Sequence, residues 1–144
     1  MRLAKVLQPV ILSGGTARTL TVRDSGNLIV FDTAAGLTIT LPVPQVGLTY
    51  DFAVGVTGTG AYKVITSAST VFIRGTVFQG IEDATTGKAF TANGTTHIAV
   101  NLLSAETGWL VGGHFRLTCA STTIWEVTGV LMSSGTITIP FTTT

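Results

Sequence analysis

Between Asp24 and Val56 three apolar runs are separated by residues that turn a chain, and this punctuation limits the possible fold more than any other feature. The runs are Leu28-Ile29-Val30-Phe31, Leu37-Thr38-Ile39-Thr40-Leu41 and Tyr50-Asp51-Phe52-Ala53-Val54-Gly55-Val56. In the second and third, large apolar residues alternate with threonine, aspartate or small residues, a period of two that sends one side-chain row inward from a strand. The first is apolar on both faces, as a strand covered on both sides requires. Asp24-Ser25-Gly26 opens the unit, Ala34-Ala35-Gly36 links its first two strands, and Pro42-Val43-Pro44-Gln45-Val46-Gly47 links the second to the third. Pro42 and Pro44 cannot donate to a ladder, so a sheet stops or bends there. The stretch reads as a three-strand meander.

The remainder repeats this texture. Strands are expected at Thr19 to Arg23, Tyr62 to Thr66 and Thr70 to Arg74, with a short one between Gly75 and Gly80. Others are expected at Thr95 to Leu103, Trp109 to Val111, Phe115 to Cys119, Thr123 to Leu131 and Thr136 to Phe141. Residues 81–94 turn polar and end in Asn93-Gly94, which reads as a long exposed loop. No segment carries a helical period, and no long repeat of the solenoid or propeller kind is visible. About ten short strands with regular turn signals predict an all-β fold, an antiparallel β-sandwich of jelly-roll type. The 144 residues suit one domain. It divides into an arm over 1–17 and a sandwich over 18–144, whose strands from 115 to 144 can be read as an extension.

Charged residues make up only 10% of the chain, against roughly a quarter in an average globular protein. A soluble domain of this size ordinarily carries a mixed, charged surface. The deficit points to a surface largely covered by other subunits. The few charges are also polarised: Arg2, Lys5, Arg18 and Arg23 fall within residues 1–23 without one acid, leaving the other four of the 8 cations against all 7 acids. With Pro9 and Gly14-Gly15 interrupting it, this segment reads as an arm in which Arg2 and Lys5 pair with acids and Val10, Ile11 and Leu12 add a strand to a neighbour. No apolar run reaches the length that spans a bilayer. The basic and apolar start resembles a signal peptide, but Lys5, Gln8 and Pro9 break its apolar core.

Motifs that carry chemistry are fragmentary. Thr86-Gly87-Lys88-Ala89 has the end of a phosphate-binding loop, yet Glu82 stands where the first glycine belongs and Ala89 where the magnesium-binding hydroxyl belongs. His97 and His114 have no carboxylate at ligand spacing, and nothing local ties them to Cys119, Glu106 or Glu126 as a nucleophile and base. The single cysteine, Cys119, reads as a small buried side chain. No enzyme, metal or cofactor is expected, and four cations make a weak case for nucleic acid. Trp109 and Trp125, in apolar strand contexts, are expected in core or interface packing. With Phe141 they are assigned to an oligomer interface.

The meander also carries a family likeness. Asp24-Ser25-Gly26, Asp32 with Ala34-Ala35-Gly36, Thr38-Ile39-Thr40-Leu41-Pro42 with Pro44, Gly47, Tyr50, Phe52, Val54-Gly55 and Gly60-Ala61-Tyr62 resemble a family of small tailed-bacteriophage proteins. These accompany the major capsid protein as head decoration, or cement, proteins. The resemblance covers roughly residues 20–75, and Trp109-Leu110-Val111-Gly112-Gly113 is similar to the aromatic strand that often closes that domain. The segment before residue 18 and the stretch from Phe115 to Thr144 depart from the pattern. The resemblance implies a β-sandwich subunit, usually trimeric, that is made in the host cytoplasm and sits on the virion at symmetry axes of the shell. There it clamps neighbouring capsomers through the major capsid protein, with neither nucleic acid nor membrane as partner. The alternative expectation is a receptor-binding or adhesin module of a phage head or tail fibre, reading a cell-surface sugar through its loops.

Overall fold

A computed structural model describes residues 11–13, 17–82 and 85–144 of the chain. The fold is all-β. Its strands are β1 (Ile11–Ser13), β2 (Ala17–Thr19), β3 (Leu28–Phe31), β4 (Leu37–Thr40), β5 (Thr49–Val54), β6 (Tyr62–Ile65), β7 (Phe72–Ile81), β8 (Gly87–Asn93), β9 (Ala99–Leu102), β10 (His114–Ser121), β11 (Ile124–Ser133) and β12 (Phe141–Thr142). A 7-stranded sheet in the order β1-β3-β5-β10-β11-β7-β8 packs against a 5-stranded sheet in the order β12-β9-β6-β4-β2. The result is a β-sandwich.

The expected meander is not how the first half is joined. β3 and β5 are parallel neighbours in the large sheet, and β4 lies in the small sheet between β2 and β6, again in parallel. Successive strands from β1 to β6 therefore alternate between the sheets and wind as a flattened coil. The ladders are mixed rather than antiparallel throughout. A one-sided strand shows the same alternation whether its neighbour arrives by hairpin or by crossover, so the pattern alone could not separate the two. Nor could a repeat search: Ile11 pairs with Leu28 and Leu28 with Asp51, while Ala17 pairs with Thr38 and Thr38 with Lys63, so the spacing between turns of the coil is irregular.

The second half adds two hairpins. β7 and β8 pair antiparallel, as do β10 and β11, and the two units join through a long parallel ladder between β7 and β11. β9 pairs antiparallel with β6, and β12 antiparallel with β9, which completes the small sheet. Three expected boundaries change. Gly75 does not end a strand: it sits inside β7 at φ 118, where an added Cβ would collide with the Val127 carbonyl of β11. Residues 87–93 are a paired edge strand rather than loop. Trp109 makes only an isolated bridge to Met132, after a 3-10 turn over Ala105–Thr107. A second 3-10 turn, Val22–Asp24, replaces the end of the strand expected to Arg23.

Inward rows from both sheets meet in one core. Phe31 stacks on Tyr62 at 4.9 Å between ring centroids, and Phe52 on Phe115 at 4.9 Å, which ties the coil to the hairpins. Tyr50 approaches Trp125 at 5.8 Å. A fully buried polar pair lies beside them: Gln79 accepts from the Ser133 hydroxyl at 2.8 Å and donates to the Thr138 carbonyl at 3.0 Å, which fastens the segment after β11 to β7.

Candidate functional site

The residues assigned to an oligomer interface are mostly interior. Trp125 is 0% exposed and Phe141 3%, both in this subunit's own core, so neither can supply surface to a neighbour. The cause is pleat parity: Trp125 shares the inward row of β11 with Val127 and Leu131. Phe141 packs against the ring of His97 at 5.8 Å. Trp109 is half-buried against the core, its carbonyl accepting from the Gly58 amide. The arm assignment also changes. Ile11 and Leu12 pair in parallel with β3 of the same chain instead of standing free for a neighbour. Arg18 pairs with Asp24 at 3.5 Å. Arg2, Lys5 and Val10 lie outside the described residues.

Among the described residues, exposed apolar side chains occur on three surfaces, and singly at Val22, Leu103 and Ile139. The first is the outer face of the 7-stranded sheet, where side chains line up in transverse rows. One row is apolar except for its centre and runs Val30, Ala53, His114, Val130, Phe78, Ala89 from β3 to β8. The next runs Leu28, Asp51, Arg116, Thr128, Thr76, Thr91. A third carries Thr118, Glu126 and Arg74.

Charges on this face cancel in pairs. Arg116 holds Asp51 with two hydrogen bonds, at 2.7 and 3.0 Å, and Arg74 donates to Glu126 from Nε at 2.7 Å and from Nη2 as well. These bonds hold both guanidiniums above their ordinary pKa range. Between the first two rows the face dips into an open concavity of about 580 Å3, lined by Leu28, Asp51, His114, Arg116, Thr128 and Val130 over bare backbone at Gly129. β7 borders the concavity on the far side of β11. Phe78, 47% exposed, lays its ring across Gly87 of β8, a position where any Cβ would collide with that ring.

The second surface is the loop over 42–47, where Val43 and Val46 are each 71% exposed. The loop is pinned by Pro42 and Pro44 and by hydrogen bonds from Gly47 N to the Cys119 carbonyl at 3.0 Å and from Leu48 N to Gln45 O at 3.1 Å. The third lies at the opposite end of β5, where exposed Val56 and Val111 flank Trp109. The Val111 amide donates to the Thr57 hydroxyl at 3.2 Å.

Among the described residues no three His, Cys, Asp or Glu side chains converge to hold a metal ion. His97 accepts from the Asn93 amide at 3.1 Å and locks the turn after β8. His114 stands in the apolar row of the sheet face. Cys119 is buried, donates to the Ser121 carbonyl at 3.1 Å, and has its thiol pKa pushed up, chiefly by burial. No helix of the described residues is long and apolar enough to cross a membrane. Neither a family model, nor a curated protein, nor a solved structure matches the chain. Its function has to be read from its own surfaces.

Sequence reasoning placed the loop over 42–47 but not the sheet face. Val130 and Phe78 each sit in strands that are apolar on both sides, which marks them as interior until the pairing register assigns them to the outer row. The missed signal was the run of small partners around Phe78, namely Gly80, Gly87 and Ala89.

Proposed function

We propose that this chain is a structural virion protein, a capsid decoration or cement subunit that binds the outside of a phage head and strengthens contacts between capsomers. The observation that carries the reading is the loop over 42–47, which presents Val43 and Val46 to solvent, each at 71% exposure, from a backbone fixed by two prolines. This loop belongs to the stretch that resembles the decoration family. Apolar side chains on a rigid loop lose little conformational freedom when they dock, so most of their burial appears as binding energy. Covering both valines contributes on the order of 2–4 kcal/mol per copy. Multiplied over a shell, that raises the cost of separating capsomers against packaged DNA. The partner is the major capsid protein, and the mechanism is binding alone.

Particles lacking the chain test this. They should assemble, then release DNA at lower temperature or on milder osmotic shock, and recover when the purified protein is added back. Unchanged DNA retention together with lost adsorption to cells would replace this reading with the fibre or adhesin one. Self-association belongs to the same reading: native mass measurement at micromolar concentration should give the trimer that the resemblance implies, and a stable monomer would count against it.

A further inference from the structure

The concavity on the outer face of the 7-stranded sheet has no part in the contact proposed for the loop over 42–47, and we infer that it binds a neutral sugar. It lies between two transverse rows, with Leu28, Asp51, Arg116 and Thr128 along one side and His114 and Val130 along the other. Phe52 and Phe115 lie beneath it, their rings stacked on each other in the core. Successive outward residues of a strand stand about 7 Å apart, a gap that a long side chain can fold across. Here Arg116 instead reaches along its own row to Asp51, holding it at 2.7 and 3.0 Å, so the space between the rows stays open. Its volume of about 580 Å3 falls within the range of small-molecule sites.

The lining selects the class of ligand. Arg116 and Asp51 cancel each other's charge, so the pair attracts neither a phosphate nor an amine. It remains rich in hydrogen-bonding capacity: two N–H groups of the guanidinium are engaged and the others are left, and each carboxylate oxygen keeps a lone pair. Two adjacent sugar hydroxyls can donate to Asp51 and accept from Arg116 together, while the Thr128 hydroxyl and the His114 ring serve a further position. Leu28 and Val130 supply apolar surface for the C–H face of a pyranose ring. A wholly apolar ligand would strip water from the ion pair without replacing its hydrogen bonds, which costs free energy. A peptide strand finds no edge to join, because β5, β10 and β11 are interior strands of the sheet. The sugar site goes beyond the capsid reading and can fail separately from it.

Chemical-shift titration of the purified, isotope-labelled full chain reads the binding. The probes are glucose, galactose, mannose and N-acetylglucosamine, with glucuronate and inorganic phosphate as charged counterparts. The inference expects saturable, millimolar binding of at least one neutral sugar, with the largest shifts at His114, Arg116, Thr128 and Val130. Arg116 and Thr128 are both exposed, so substitutions there should leave circular dichroism and melting those of a folded sandwich. Arg116→Ala should weaken the binding at least tenfold, and Thr128→Val, which keeps the shape and removes the hydroxyl, at least threefold. The absence of a saturable shift with every neutral sugar overturns the proposal. So does tighter binding of glucuronate or phosphate than of any neutral sugar, a set of shifts centred away from the concavity, or binding indifferent to both substitutions.

Discussion

The two halves of this sandwich reach the same layered core by different routes. From β1 to β6 the chain winds between the sheets, and its strands meet their neighbours in parallel. From β7 to β12 two hairpins, β7-β8 and β10-β11, extend the large sheet with the longest strands of the chain, while β9 and β12 cross to the small sheet. Every connection of the coil crosses from one sheet to the other, and one of them becomes the exposed loop over 42–47. The β10-β11 hairpin closes with residues 122–123 alone, and β7 and β11 put their length into strand and widen the large sheet. The coil thus exposes a pinned apolar loop, and the two hairpins together with β3 and β5 of the coil present a sheet face whose charges are paired.

The sharpest way to break this comparison is to ask whether the halves are separate folding units. Rings from both meet in one core, so unfolding should be a single transition. Tyr50 and Tyr62 report on the coil, and Trp109 and Trp125 on the hairpins. Denaturation followed through tyrosine and tryptophan signals should coincide, and Trp125→Ala should destabilise both together by about 3–5 kcal/mol. Two separated transitions would make the halves independent.

A smaller effect is expected from alkali. The Tyr50 phenol donates to the Thr21 carbonyl at 2.8 Å, and its pKa is raised from 10.0 to about 12, first by burial and then by Asp24 and Cys119. A group whose folded pKa lies above its unfolded value contributes stability that is complete below the unfolded pKa and disappears as pH rises through the folded one. Stability should therefore fall by about 2–3 kcal/mol between roughly pH 10 and pH 12. Tyr62 and Cys119, both also raised chiefly by burial, act in the same direction. Tyr50→Phe should flatten the decline in urea melts across that range, and an unchanged slope would remove Tyr50 as its source.

Within the hairpin half, Gln79 discriminates further. Gln79→Ala leaves the Ser133 hydroxyl and the Thr138 carbonyl without their partner, and should cost about 1–3 kcal/mol. Hydrogen exchange should show the loss concentrated over residues 134–140, and a loss spread evenly would contradict the fastening role. The smallest change is expected on the sheet face, where Arg116→Gln breaks an exposed pair with Asp51 and should alter monomer stability by less than about 1 kcal/mol.

The class of the fold was legible because strand alternation and turn residues are local signals. Leu37-Thr38-Ile39-Thr40 gave its inward row correctly, Leu37 and Ile39 being buried. Which strand lies beside which is a long-range fact, and the same alternation serves β4 whether it pairs with β3 or, as here, with β2 and β6. Trp125 and Phe141 were misassigned because large aromatics suit an interface and a core equally, and only parity within β11 and the closing position of β12 decide between them. Val43 and Val46 could be read as exposed from the prolines around them. Phe78 could not, since its exposure depends on the β7 to β8 register and on Gly87 beneath its ring.

The proposed capsid-contact role is tested most directly by binding the purified chain to undecorated phage capsids, wild type against Val43→Asp with Val46→Asp. Both valines are exposed, so the double variant should fold and melt as the wild type does. The account predicts saturable binding by the wild type and at least a tenfold weaker attachment of the variant. Equal attachment of the two, or no binding by a folded wild type, would contradict it.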